Sequence, residues 1–137
     1  MANINKASPS SGQQNVTLQE SLHLAVQYHI AGDLSKAESI YREILQTDPN
    51  QPEALNLLGL IAQQAGKIEI AVNLIKKATI LKPGFTEAHS NLGLLFQNLG
   101  KPEAAVASFQ KVLDLEPHSF EANLNLGNAL KDMGLLS

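Results

Sequence analysis

The chain has 137 residues, of which 44% are hydrophobic but only 4% aromatic, and its formal net charge is −3. This length suits one ordinary domain, whose core must be built from Leu, Ile, Val and Ala, as in closely packed helices. The acidic balance argues against nucleic acid as a partner. The absence of cysteine excludes disulfides and thiolate metal sites. Without an apolar run long enough for a membrane span or a secretory signal, we expect a cytoplasmic protein that does not bind membranes.

The first predicted helix follows a polar N-terminal segment. Residues 1–16 contain mainly Asn, Ser, Gln, Gly and Pro, which offer too little apolar surface to offset the entropy cost of ordering. We therefore predict a disordered tail over 1–16. Thr17 and Glu20 have the spacing of a capping box, so the helix should begin there and end near Ala31.

The later helices repeat one pattern of caps and stops. Asp33 is placed to cap the second helix, which should end at Asp48, because a residue before proline leaves the helical region. In the next segment Asn50 offers an N-cap and Pro52 stands in the first turn. We expect this third helix to end at about residue 65. The four helices after it are predicted over residues 68–81, 86–99, 102–115 and 119–133. Seven helices without strands predict an all-α fold.

A fixed period of 34 residues runs through residues 17–137. It relates Pro49, Pro83 and Pro117; Gly32, Gly66, Gly100 and Gly134; Gly59, Gly93 and Gly127; and Ala37, Ala71 and Ala105. Such a period predicts stacked helix hairpins, here at about 18–51, 52–85 and 86–119 with a partial copy at 120–137. Within each hairpin the helices should approach most closely at the glycines of the third set and the alanines of the fourth. Phe96 and Phe109 should meet across the third hairpin.

These residues resemble the signature of the tetratricopeptide repeat. The second copy reads Leu55, Leu58, Gly59, Ala62, Ala71, Ile75 and Pro83, and the third reads His89, Leu92, Gly93, Phe96, Ala105, Phe109 and Pro117. The first copy departs by having Ser21 where a large residue is usual. The resemblance covers residues 18–137. It implies a right-handed superhelical solenoid of antiparallel helix hairpins, whose first helices line a concave groove for an extended peptide or a partner's helix.

The predicted groove face is rich in amide side chains. Its peptide-binding residues are Asn56, Leu60, Gln63, Gln64, Ser90, Asn91, Leu94, Gln97, Asn98, Asn125 and Asn128. Each Asn or Gln offers both donors and an acceptor, which suits the N–H and C=O groups of an extended backbone. The alternative is that these amides only solvate a helix face. In the first copy the corresponding residues are the more apolar Leu22, Val26, His29 and Ile30.

Two further hypotheses stay open. Asn91 and Asn125 stand where O-linked N-acetylglucosamine transferases carry an asparagine ladder, and residues 57–66 resemble arrays that precede bacterial transferases of this type. The chain could thus be the truncated, substrate-presenting N-terminal segment of a larger transferase. The third hypothesis is a self-associating module. In the last helix Leu126, Ala129, Leu130 and Met133, with Leu135 and Leu136 beyond them, should form an apolar face that packs on a second copy or on missing chain.

Other functions are excluded or disfavoured by the residues present. A clamp for a C-terminal carboxylate needs basic residues, yet the face has only Lys131, with Glu53, Glu87 and Glu121 at its edge. These glutamates are placed to complement helix N-termini. The four histidines do not cluster, and no nucleophile stands near a base. We predict no metal, no cofactor and no enzyme activity.

Overall fold

The computed structural model describes residues 11–134, in which seven α-helices and no strand are found. The helices are α1 (Ser11–Ile30), α2 (Leu34–Thr47), α3 (Pro52–Gln64), α4 (Ile68–Leu81), α5 (Thr86–Asn98), α6 (Pro102–Leu115) and α7 (Phe120–Asp132). The predicted all-α fold is confirmed. None of these helices is both long enough and apolar enough to cross a membrane.

The first helix begins earlier than the sequence predicted. Residues 1–10 of the predicted tail lie outside the described residues, but α1 already starts at Ser11 and runs through Thr17. Thr17 is therefore not an N-cap. The physical reason is that forming the first turn of a helix is unfavourable, whereas each residue added afterwards gains one hydrogen bond. Gln13 and Gln14 are good helix formers, and they can extend a helix that is already nucleated.

The helix C-termini follow the predicted glycine period. Gly32, Gly66, Gly100 and Gly134 have φ values of 88°, 80°, 71° and 77°, in the left-handed region that glycine adopts without steric cost. After the first of them, the amide of Asp33 donates to the carbonyl of Tyr28 over 2.9 Å. Lys67 and Lys101 make the same bond in the next two repeats, at 2.8 Å each. This is the Schellman arrangement, and it ends every first helix of a hairpin in the same way.

The N-termini of α2 and α3 show one difference from the prediction. Asp33 caps α2 as predicted, by accepting from the amide of Lys36 over 3.2 Å. At α3 the cap is Gln51 and not Asn50, because the Gln51 Oε1 accepts from the amide of Ala54 over 2.7 Å. Pro52 then takes the first helical position, where its missing N–H costs nothing.

The chain divides into two compact units, residues 1–49 and 50–137, and the first contains the α1–α2 hairpin. Its central side chain is Tyr41, which is fully buried against α1. The Tyr41 hydroxyl shares a hydrogen bond of 3.3 Å with His29 Nδ1, and burial raises the pKa of Tyr41 to about 12. His29 therefore belongs to the interface within this hairpin, although the sequence placed it on the groove face.

The second unit contains the hairpins α3–α4 and α5–α6, with α4 packed on α5 and α6 packed on α7. The close approach at the small residues is confirmed for two of the three glycines. A Cβ added at Gly59 would lie 2.5 Å from Ile75 Cγ1, and one added at Gly93 would lie 2.5 Å from Phe109 Cε1. At Gly127 the prediction is wrong, because no atom of the described residues lies within 4 Å of the added atom. The contacts made by Gly59 and Gly93 come from second helices, and no described helix follows α7.

The last helix is held by the hairpin before it. Phe109 and Ala129 are fully buried in one cluster, against which Phe96 and Leu126 pack while remaining only partly buried. The sequence prediction is therefore corrected for Ala129, which is buried against the preceding hairpin, whereas Leu126, Leu130 and Met133 are only partly buried. The exposed apolar residue of α7 is instead Phe120, at 79% exposure, followed by Leu124. Leu135 and Leu136 lie outside the described residues, and self-association, which light scattering tests, stays a prediction.

Candidate functional site

A groove of about 400 Å³ lies in the second unit, along the N-terminal halves of α3 and α5. Most of its lining comes from first helices of hairpins, and the connection between α4 and α5 closes one side. The lining residues are Glu53, Asn56, Leu57, Leu60, Lys82, Phe85, Glu87, Ser90, Asn91 and Glu121. The groove therefore joins an apolar floor to amide, hydroxyl and carboxylate groups.

An amide pair crosses the groove from one repeat to the next. The Nδ2 of Asn91 in α5 donates to the Oδ1 of Asn56 in α3 over 3.1 Å. Asn56 is only 4% exposed, and its own Nδ2 donates to none of the described residues. Since no buried polar side-chain atom in the described part of the chain lacks a partner, this Nδ2 reaches the surface that lines the groove. The pair thus presents a fixed donor to a ligand.

A small charged network forms one rim of the groove. The Lys82 Nζ donates to the Glu53 Oε2 over 2.9 Å and lies 4.7 Å from the centroid of the Phe85 ring. The Gln51 Nε2 donates to the other carboxylate oxygen of Glu53, also over 2.9 Å. Partial burial alone would raise the pKa of Glu53, but the hydrogen bond and charge of Lys82, with further local donors, outweigh it and lower the pKa. Glu53 and Lys82 therefore neutralise each other.

The lowered pKa of Glu53 makes this pair pH-dependent. A carboxylate with a lowered pKa stabilises the fold fully above its ordinary value, 4.5, and loses that contribution as the pH falls through the folded value. Replacing Glu53 by Gln should cost about 0.5–1 kcal/mol at neutral pH, because both side chains are partly exposed and solvent screens them. The difference in stability between this variant and the wild type should disappear in acid. Thermal melts at pH 7 and below pH 4 measure it, with exposed Glu103→Gln as control, and a gap that persists in acid contradicts the assignment.

The structure brings together only some of the predicted binding residues. Asn56, Leu60, Ser90 and Asn91 line the groove. Gln97 connects α5 to α7, since its Nε2 donates to the Asp132 Oδ2 over 3.4 Å. The other predicted residues lie outside the groove lining: Gln63, Gln64, Leu94, Asn98, Asn125 and Asn128. Their role in peptide binding stays a prediction.

Sequence reasoning missed several of the residues that line the groove. Leu57, Lys82 and Phe85 were not among the predicted binding residues. The last two lie at the connection between α4 and α5, outside the helix face that the periodicity follows. Glu53, Glu87 and Glu121 occupy the first turns of α3, α5 and α7. They also line the groove, where they had been placed at the edge.

Two sequence models of the tetratricopeptide repeat match the chain, one over residues 28–95 and the other over residues 86–119. Together they cover the hairpins α3–α4 and α5–α6 as well as α2. The chain belongs to the tetratricopeptide repeat family. The first match begins inside α1, in the copy whose motif departs at Ser21. None of the curated proteins matches the chain.

Solved structures of tetratricopeptide repeat proteins share this fold. The crystal structure of MamA protein is 21% identical, with a TM-score of 0.80, over 90% of this chain and 68% of that one. A mutant O-GlcNAc transferase of Thermobaculum terrenum is 30% identical, with a TM-score of 0.80, over 90% of this chain and 23% of that one. The first repeat domain of Spaghetti (RPAP3), bound to the HSP90 peptide SRMEEVD, is 24% identical, with a TM-score of 0.80, over 85% and 93%.

Proposed function

We propose that this tetratricopeptide repeat array is a non-catalytic interaction scaffold that binds an extended segment of a partner protein along α3, α5 and α7. The observation that carries the proposal is the groove itself, with the Asn56 amide donor turned to its surface. Tetratricopeptide repeats generally mediate protein–protein interaction, and α3 and α5 are the first helices of their hairpins, with α7 at the corresponding position of the next repeat. The proposal assigns the binding role to a defined face.

The groove suits a peptide backbone better than a compact ligand. An extended chain presents N–H and C=O groups at regular intervals, and an amide side chain can pair with either. Leu60 adds apolar contact on the groove floor, and Leu94, 42% exposed, lies on the next repeat at the same register. Backbone pairing with a few apolar contacts would hold a segment without requiring one particular side-chain sequence.

The segment differs from the one bound by the Spaghetti domain. The HSP90 peptide SRMEEVD in that structure is acidic. In this chain Lys82 is the one cation that lines the groove within the described residues, and Glu53 already neutralises it. An acidic segment would find no free positive charge here and would face two other carboxylates, Glu87 and Glu121. We therefore exclude acidic peptides and C-terminal carboxylates from the proposed partners.

Removing amides from this face should weaken binding, and the loss of the Asn91–Asn56 hydrogen bond should also lower the free energy of unfolding by about 1–3 kcal/mol. In the variant Asn91→Ala, Asn98→Ala, Asn128→Ala, each lost neutral hydrogen bond should cost about 0.5–1.5 kcal/mol of binding free energy. Isothermal titration with a peptide selected on the wild-type chain from a random display library measures the loss. Asn73→Ala is the control, because Asn73 is an exposed asparagine on the second helix α4. Equal affinity of the triple variant and the wild type would leave only solvation as the role of these amides.

A second candidate function rests on the likeness to the Thermobaculum terrenum enzyme, of which this chain spans 23%. In this proposal the array is the N-terminal segment of a larger transferase, and the groove presents protein substrates to the catalytic domain. The coding sequence downstream of Ser137 tests it. A transferase domain in the same reading frame supports the second candidate, and a stop codon directly after Ser137 rejects it.

A further inference from the structure

The charges that line the groove are unbalanced. Three carboxylates, from Glu53, Glu87 and Glu121, face one ammonium group, from Lys82. Glu53 pairs with Lys82 over 2.9 Å, so their charges offset each other. Glu87 and Glu121 form no ion pair with any of the described residues. A surplus of negative charge therefore remains on the side of the groove formed by α5 and α7.

The imbalance arises because the repeat is not perfect. Lys82 follows Glu53 in sequence by the same interval at which Glu116 follows Glu87. The cation that neutralises the first carboxylate is thus replaced by an acid in the next repeat. Gln51, which donates to Glu53, is replaced by Phe85 at the corresponding position. The partners of Glu53 are absent for Glu87, although the glutamate itself recurs.

The groove also contains a largely buried amide group, that of Asn56, which has hydrogen-bond donors left for a ligand. Asn56 is 96% buried, being 4% exposed, and its Nδ2 donates to no described residue although it can donate two hydrogen bonds. A backbone carbonyl of a bound segment would satisfy this donor. Leu57, Leu60 and Phe85 lie beside it and supply apolar surface, against which the stem of a long side chain can pack.

We propose that the segment bound in this groove carries a lysine or arginine side chain that is held by Glu87 and Glu121. This inference rests on the proposed function and names the chemistry of the partner. Asn56 binds a backbone carbonyl of the segment and so fixes its position. The cationic side chain lays its stem along the apolar floor and places its charge between the two carboxylates. An acidic side chain at that position would be repelled, so the same groups reject one class of segment and accept the other.

The experiment selects peptides from a random display library on the wild-type chain and then measures affinities with purified variants. Selected peptides should be enriched in Lys or Arg at one position. The variant Glu87→Gln, Glu121→Gln should bind such a peptide about tenfold more weakly, since charged hydrogen bonds are stronger than neutral ones. The wild-type affinity should also fall as salt is raised. Replacing the selected cationic residue of the peptide by Gln should reproduce the loss.

The control variant is Glu69→Gln, Glu103→Gln. These glutamates stand in the first turns of the second helices α4 and α6 and are exposed, so the net charge changes equally while the groove stays intact. This control should bind as tightly as the wild type. Glu87→Lys, Glu121→Lys should turn the selection toward acidic peptides. Circular dichroism melts verify that each variant is folded before its affinity is compared.

The possible results separate this inference from the proposed function. Peptides that show no enrichment in Lys or Arg, yet lose affinity for the triple asparagine variant, overturn the cation site and keep the groove. Enriched peptides that bind the Glu87→Gln, Glu121→Gln variant as tightly as the wild type also overturn it. If no selected peptide responds to either set of substitutions, both the groove and the cation site are rejected.

Discussion

Replacing Phe109 by alanine is expected to lower the free energy of unfolding by about 3–5 kcal/mol, as for other buried aromatic side chains. Phe109 is fully buried and belongs to the cluster that contains Ala105 and Ala129. Its ring also lies against Gly93 of α5. One side chain therefore fills the space among α5, α6 and α7, and its removal leaves a cavity that these helices can close only in part. Urea denaturation followed by circular dichroism measures the loss.

The matched control is Phe120→Ala. Phe120 is the same residue type but is 79% exposed at the start of α7, so its removal should change stability by less than about 0.5 kcal/mol. Equal losses for the two variants would show that Phe109 does not occupy the position described.

Replacing Gly93 by valine should destabilise the chain by about 3 kcal/mol, at the upper end of the usual cost of overpacking. Even the first added carbon would lie 2.5 Å from Phe109 Cε1 and 2.7 Å from Phe109 Cζ. The ring cannot move away, because it is fully buried. Helices α5 and α6 would have to separate, and the cluster around Phe109 would open. The melting temperature and the urea midpoint should both fall.

Gly127→Val tests the same substitution at the equivalent position of α7. In the described part of the chain, no atom lies within 4 Å of an added Cβ at Gly127. Because glycine is the poorer helix former, this variant should be as stable as the wild type or slightly more stable. The pair therefore compares one change of residue with and without a packed neighbour. If Gly127→Val proved as damaging as Gly93→Val, backbone effects and not the contact with Phe109 would explain the loss.

Most of the fold could be predicted because its signals are local and recur in each repeat. The left-handed glycines, the proline after each hairpin and the apolar stripes fix where the helices end and which faces they bury. The exceptions are positions where two local signals compete. Asn50 and Gln51 can both cap α3, and the longer side chain does so while also donating to Glu53. At Thr17 the sequence of a capping box predicts a helix start, but α1 extends through this residue to Ser11.

Less of the candidate site could be predicted. The helix face that carries Asn56 and Asn91 follows from periodicity alone, because residues at one register of the repeat share one side of their helices. Lys82 and Phe85 follow no such rule. They enter the groove from a connection, whose path depends on how α4 packs on α5. Gly127 differs from its equivalents for a simple reason: Gly59 and Gly93 are packed by Ile75 of α4 and Phe109 of α6, and no described helix follows α7.

The hydrogen bond between Asn91 and Asn56 joins consecutive repeats at the surface where a segment is proposed to bind. In a linear array, folding cooperativity depends on the coupling between nearest neighbours. A segment bound to both amides would add to that coupling and would make α3 and α5 open together instead of separately. Ligand binding and the stability of the array against local opening are then linked, so that a partner bound along this face would stabilise the helices that bind it.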